Sequence, residues 1–231
     1  LMRRARAGQT DPVLLVAEQQ TAGRGRLGRQ WQSQAGDSLT FSLGLTLSPA
    51  DWSGLSLAIG GAIVQALDPA GDLGLGLKWP NDVLWRGRKI AGILIEMQGE
   101  ALGPSAVVIG VGVNVRLSPA TREKIDQASA DLETILEHAV DRNQLLAALL
   151  NEFNKTLLEF EREGFQPFRE DWQRHHVHQG CAVRLALPNG ARESGVARGV
   201  GADGSLLLET ARGVLPFHSG DVSLRAAGRA V

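Results

Sequence analysis

Three arginines fall within six residues in the segment Gly23-Arg24-Gly25-Arg26-Leu27-Gly28-Arg29-Gln30-Trp31. Glycines between them let backbone N–H groups approach a ligand closely, and guanidinium groups match phosphate and carboxylate oxygens in bidentate fashion. Trp31 adds a flat surface on which a purine could stack. The chemistry on offer is therefore the binding of an anion beside an aromatic ring. The literal G-x-G-x-x-G match is weak. A dinucleotide-binding unit would open a helix here and place an acidic residue about 20 positions on, and RQWQSQAGDS does neither. No Gly-Lys-Ser/Thr follows either, so the segment is not a P-loop. A basic loop without a ligand and an RNA-binding patch are the competing readings.

A second constellation is Leu77-Lys78-Trp79-Pro80-Asn81-Asp82. On a strand, Gly74, Gly76 and Lys78 share one face, opposite Leu75, Leu77 and Trp79. The Lys78 face is then bare of other side chains, which leaves room for a ligand against the backbone. Pro80 removes a ladder donor, so the strand ends or lies at an edge there. Asn81 and Asp82 supply polar groups at its end. Taken alone, an ordinary turn with a snorkelling lysine is the favoured reading.

The elements that must position these groups are read from pattern. VLLVAEQQ at 13–20 reads as a buried strand, 21–37 as a long loop and 38–47 as a strand. Residues 53–67 read as a buried helix with Ser53 as N-cap and Gly60–Gly61 permitting close packing. Strand-like runs follow at 73–79, 82–97 and 105–115, the second folded at an Arg86–Gly87 turn. Helices are expected at 129–140, 143–163 and 168–178. The second of these carries Leu145, Leu146, Leu149, Leu150, Phe153, Leu157 and Phe160 at 3–4 spacing. From about Gly180 short apolar runs alternate with turn signals, at Pro188–Asn189–Gly190 and Ala202–Asp203–Gly204–Ser205, as in a small β-barrel.

Composition narrows the classes. At 231 residues and 43% hydrophobic content there is material for one large domain, or one large and one small. A net charge of −1 disfavours a polyanion-coating protein. The single Cys181 forms no internal disulfide, as expected in a reducing cytoplasm. No apolar run reaches the roughly 20 residues that span a bilayer, and nothing at the start of the given sequence resembles a signal peptide. His175, His176 and His178 lack a metal-site pattern and read as a solvated helix end, and Cys181 reads as structural.

Together the motifs resemble the biotin protein ligases. Gln19 to Trp31 is similar to that family's adenylate-binding loop, and Lys78-Trp79-Pro80-Asn81-Asp82 to its second signature. Arg88 to Glu96 and Val108-Ile109-Gly110-Val111-Gly112-Val113-Asn114 are similar to the strands that follow. The resemblance implies an α+β fold of the class II aminoacyl-tRNA-synthetase/biotin-ligase type. In it a mixed β-sheet packed with helices (1–179) is followed by a small SH3-like barrel (180–231). It implies ATP-dependent adenylation of biotin with Mg2+, then transfer of biotin to a lysine of the biotin carboxyl carrier protein of acetyl-CoA carboxylase.

Carried over position by position, the resemblance assigns Lys78 and Arg26 to catalysis. Gln20, Gly23, Arg24, Gly25, Arg26, Lys78, Gly99 and Gly110 are assigned to biotin. Arg26, Arg29, Trp31, Lys78, Asn81 and Asn114 are assigned to ATP. No protein ligand to the metal is assigned, with Asp82 a candidate. The loop is expected to order on ligand binding. The family's biotin-contacting Ser-Thr-Asn and its N-terminal helix-turn-helix are expected to be missing, because the chain begins inside the helix that precedes the first strand. A homodimer by edge-to-edge sheet pairing fits, and no nucleic acid or membrane is expected as partner. The alternatives are a lipoate ligase or octanoyl transferase of the same fold and, from a different class, a nucleic-acid-binding module.

Overall fold

The computed structural model describes residues 1–9, 11–99, 104–187, 190–218 and 223–226; for Leu27 and 223–226 only the backbone is described. The Pro188–Asn189 part of the expected turn lies outside these residues.

The chain opens with α1 (Met2–Arg6), β1 (Val13–Ala17), β2 (Ser38–Leu47) and α2 (Leu55–Leu67). Then come β3 (Leu75–Lys78), β4 (Asp82–Trp85), β5 (Arg88–Gln98) and β6 (Ser105–Asn114). The six strands form one antiparallel sheet in the order β1-β2-β6-β5-β4-β3. The β4–β5 turn is the expected Arg86–Gly87 pair, both at positive φ, which is the geometry two-residue hairpins favour.

Helix α2 and, further on, the long helix of residues 142–163 cover one face of the sheet, while Leu1, just ahead of α1, packs on Gly44 of the other. The missing Cβ of Gly60 lets α2 descend until Leu77 and Ile93 lie against it, as the Gly60–Gly61 pair suggested; Gly61 itself faces open space. After the short α3 (Pro119–Arg122) and α4 (Leu132–Leu136), α5 (Arg142–Glu163) lays Leu145, Leu149, Phe153, Leu157 and Phe160 into the core. Phe153 meets Phe41 of β2 at 6.0 Å between ring centroids. Asp141 caps α5 by accepting from the N–H groups of Asn143 and Gln144.

The final elements are α6 (Arg169–His175) and the strands β7 (Ala182–Ala186), β8 (Arg192–Val200), β9 (Leu206–Thr210), β10 (Gly213–Phe217) and β11 (Ser223–Ala226). The last five form an antiparallel sheet in the order β10-β9-β8-β7-β11. Val183, Leu185, Ala197, Val200, Leu206 and Leu208 of this sheet join the hydrophobic cluster of the main sheet. Arg169 Nε donates to Val200 O (2.8 Å), and buried Trp79 donates its indole N–H to Gly204 O (3.0 Å).

Several expectations are corrected. The first strand is an edge strand, not a buried one: Leu14, Leu15 and Val16 are exposed because β1 pairs only with β2 and its middle residues lie outside the core cluster. Ser53 is not the N-cap of α2; Gly54, at φ 82°, holds that place without a side-chain bond. Helix at 129–140 shrinks to α4, since residues 128–130 run extended beside Lys89 instead. Cys181 is exposed rather than structural. The histidines are no solvated helix end: His176 is 5% exposed and stacks on Trp172 at 4.7 Å.

Burial lowers the His176 pKa from 6.5 to about 4, the Gln179 hydrogen bond opposing and His178 adding to the fall. Below pH 6.5 the unfolded chain takes up a proton that the folded chain refuses. Stability is therefore full above pH 6.5 and falls as pH drops toward 4, by up to about 3 kcal/mol. His176→Phe keeps the ring on Trp172 and is expected to flatten this dependence. Urea midpoints at pH 7 and pH 5 measure it; equal slopes for both proteins would show that His176 is not the titrating group.

Candidate functional site

Cross-strand register builds the site. One row runs Lys78, Asp82, Gly92, Gly112, Thr40, Ala17 across all six strands. Register partners in antiparallel strands share a face, and this row lies on the face opposite α2. Its neighbour on the same face runs Leu94, Gly110, Ser42 and Leu15. An ammonium and a carboxylate thus stand at one end of a floor made largely of glycine.

The arginine loop folds back onto that floor. Trp31 N donates to Gly23 O (3.0 Å), Gly25 N to Arg29 O (2.7 Å) and Arg29 N to Arg26 O (3.1 Å), closing a 3-10 turn at 26–28. Gln20 N is held by Ser33 Oγ at 3.0 Å. The indole of Trp31 lies on Gly112 and Gly92; a Cβ on Gly112 would collide with its ring atoms. Arg24 reaches Glu96 on β5 at 2.8 Å, an exposed pair of the kind worth about 0–1 kcal/mol and readily opened. Gly112→Val is expected to unseat Trp31 at a cost of about 1–3 kcal/mol. Red-shifted tryptophan emission and faster proteolysis of residues 21–31 would report it, while an unchanged spectrum would show that Trp31 does not need the bare floor.

Between loop and sheet lies a cleft of about 680 Å³. Of the residues singled out by sequence, Gln20, Arg24, Gly25, Arg26, Arg29, Trp31, Lys78, Asn81, Asp82, Gly110 and Asn114 line it. Gly23 lines the adjoining cleft on the other side of the loop. Gly99 does not belong with them: it follows β5, against Ser105, and lines neither cleft. The bare strand face proposed around Lys78 is also corrected. At Gly76 it is covered by Val177, whose N–H donates to Leu77 O (3.0 Å), so only Lys78 itself looks into the cleft.

Two amides serve partly as struts. Asn81 Nδ2 donates to Ile93 O (2.8 Å), and Asn114 Nδ2 to Lys89 O (3.2 Å) and Ala130 O (3.0 Å). Asp82, the candidate metal ligand, is instead ion-paired with Lys89 at 2.7 Å. Among the described residues no group of three or more His, Cys, Asp or Glu side chains stands together to hold a metal. Sequence reasoning missed Lys89, Gly92, Gly112 and Glu96 as site residues. Gly92 and Gly112 could have been found from the Lys78–Asp82 register, whereas Lys89 and Glu96 show no signal without the fold.

The Biotin/lipoate A/B protein ligase family model matches residues 5–114, and the Biotin protein ligase C terminal domain model residues 178–225. The Biotin--[acetyl-CoA-carboxylase] ligase of Mycobacterium tuberculosis is 36% identical over 96% of this chain and 82% of its own length. The chain belongs to the biotin protein ligase family. The biotin protein ligase of Aquifex aeolicus, solved with biotin and ATP, superposes with a TM-score of 0.80 at 31% identity, over 93% of this chain and 89% of that one. The Bifunctional ligase/repressor BirA of Escherichia coli is 36% identical over 92% of this chain; the chain spans 66% of that relative's length.

Proposed function

We propose that the chain is an ATP-dependent biotin protein ligase. It forms biotinyl-5′-adenylate from biotin and ATP, then transfers biotin to a lysine of a biotin carboxyl carrier protein. The observation that carries this is the row Lys78–Asp82–Gly92–Gly112 beneath the folded-back arginine loop. That arrangement brings cations from two distant parts of the chain to one bare floor, as joining two anions demands.

In this reading Gln20, Arg24, Gly25 and Gly110 surround biotin, with Gly23 shaping the loop behind them. Arg29, Trp31, Asn81 and Asn114 attend the nucleotide. Lys78 and Arg26 stand where the biotin carboxylate meets the α-phosphate. A carboxylate oxygen forms the new bond to the α-phosphorus, the bond to the β-phosphate oxygen breaks, and its electron pair leaves on pyrophosphate. Held in place, the two anions need only charge compensation and alignment, which fixed cations supply. In the second half-reaction the carrier's lysine amine attacks the mixed anhydride and AMP leaves. Mg2+ would enter on the nucleotide rather than in a cage of protein carboxylates, since Asp82 is taken by Lys89.

The Mycobacterium tuberculosis relative is named for acetyl-CoA carboxylase, which supports that enzyme's carrier as partner. A cytoplasmic setting goes with it; among the described residues no helix is long and apolar enough to cross a membrane. For a homodimer, the exposed β1 edge offers unpaired backbone and the apolar Leu14, Leu15 and Val16. ATP–pyrophosphate exchange tests the reading: it should require biotin, and lipoate or octanoate should not replace it. Exchange driven by either of those acids instead would move the chain to the neighbouring enzymes.

A further inference from the structure

Lys89 carries no assignment from its motif, where it looks like an ordinary hairpin residue after the Arg86–Gly87 turn. The fold makes it part of the cleft. Its ammonium lies 2.7 Å from Asp82 Oδ1 and 5.8 Å from the centroid of the Trp31 ring, and its side chain is 15% exposed. It lies across Gly92, where an added Cβ would stand 2.9 Å from both its Cε and its Nζ. Asp82 is both the cross-strand neighbour of Lys78 and the ion-pair partner of Lys89.

The backbone of Lys89 is fixed as well. Its N–H donates to Ala128 O (2.9 Å), while its carbonyl accepts from Ala130 N (2.9 Å) and Asn114 Nδ2 (3.2 Å). These bonds fix the root of the side chain, which extends to the Trp31 side of the cleft. Lys78, Lys89, Arg26 and Arg29 all line that cleft, as do the carboxylates Asp82, Glu96 and Asp126. Glu96 is engaged by Arg24. The balance near Lys89 suits a polyanion larger than one carboxylate.

Resting on the ligase reading, we propose that Lys89 binds the β- and γ-phosphates of ATP and stabilises the charge on departing pyrophosphate, with Asp82 its counter-ion until nucleotide arrives. Lys78 serves the α-phosphate; Lys89 serves the leaving group. As the bond between the α-phosphorus and its bridging oxygen breaks, the electron pair moves onto pyrophosphate beside the Lys89 ammonium. No proton need transfer.

The half-reactions separate this role from a structural one. Wild type, Lys89→Ala and Lys89→Arg are compared in biotin-dependent ATP–pyrophosphate exchange, and then in biotin transfer from supplied biotinyl-5′-adenylate to the carrier, which needs no pyrophosphate. Expected are a loss of exchange of about 100-fold or more with a raised KM for pyrophosphate in Lys89→Ala, partial rescue in Lys89→Arg, and persistence of transfer in both. Equal loss in both half-reactions, or exchange with an unchanged KM for pyrophosphate, would overturn the proposal. A wild-type chain that accepts biotinyl-5′-adenylate but shows no exchange would overturn the adenylation reading and this role with it. Wild-type exchange with a wild-type-like Lys89→Ala would overturn this role alone.

Discussion

Lys78→Ala is expected to lower biotin-dependent ATP–pyrophosphate exchange by about 10²–10³-fold, the range found when one preorganised charge-stabilising group is removed from a dry site. The site geometry explains why the loss should be that large. Lys78 is the last residue of β3, an edge strand whose next positions, cis-linked Trp79–Pro80, leave the sheet. Its root is held by pairing with Asp82 on one side and by Val177 and His176 running beside Leu77 on the other. An ammonium so placed pays little reorganisation when charge develops near it. Burial, and then the charge of Lys78, push the pKa of the nearby His178 below its ordinary value. Biotin affinity in Lys78→Ala should fall much less than exchange, because the loop residues and the glycine floor remain. Pre-steady-state formation of biotinyl-adenylate separates the two effects. A variant that adenylates at the wild-type rate would remove Lys78 from the chemistry.

How much of this was legible before the fold depended on the kind of signal. The arginine loop and Lys78-Trp79-Pro80-Asn81-Asp82 announce anion chemistry by residue type, and their convergence on one cleft needed only the right topology. Helix α5 was legible from the 3–4 spacing of its apolar residues, while the Asp141 cap that starts it emerged only with the fold. The glycine floor was not. A glycine in a strand reads as weak strand, and only register shows that Gly92 and Gly112 fall in the Lys78 row beneath Trp31. Gly76 misled for the same reason: the space beside it is real, but Val177 fills it. Gly99 was placed by likeness to a motif, and its place just after β5 is against Ser105, away from the cleft. The histidines were misread because His176 is buried by contacts remote in sequence, including its approach to β3 at Leu77.

The second large effect is expected at Trp79, one residue beyond the catalytic candidate. Its indole is 1% exposed within the hydrophobic core, and it donates to Gly204 O in the turn between β8 and β9. That turn sits so close to the start of α2 that a Cβ on Gly204 would stand 2.7 Å from Gly54 Cα. Trp79 therefore joins three parts at once: the strand bearing Lys78, the N-terminus of α2 and the small sheet. Trp79→Ala removes a large core side chain, at about 3–5 kcal/mol, and strands a buried carbonyl, at about 1–3 kcal/mol more. Against a typical total stability of about 5–15 kcal/mol this is a major fraction. Trp79→Phe keeps an aromatic ring in the core but loses the N–H and the bulk of the second ring, so it should cost more than about 1–3 kcal/mol but less than Trp79→Ala. Urea unfolding followed by hydrogen exchange in residues 182–217 should show the small sheet opening before the main sheet in Trp79→Ala, and both opening together in wild type. Adenylation should fall in step, since the strand that ends at Lys78 loses its anchor. If Trp79→Ala unfolds in one step at the wild-type urea midpoint, the small sheet is seated by Arg169 and the shared core, and Trp79 is not the joint between them.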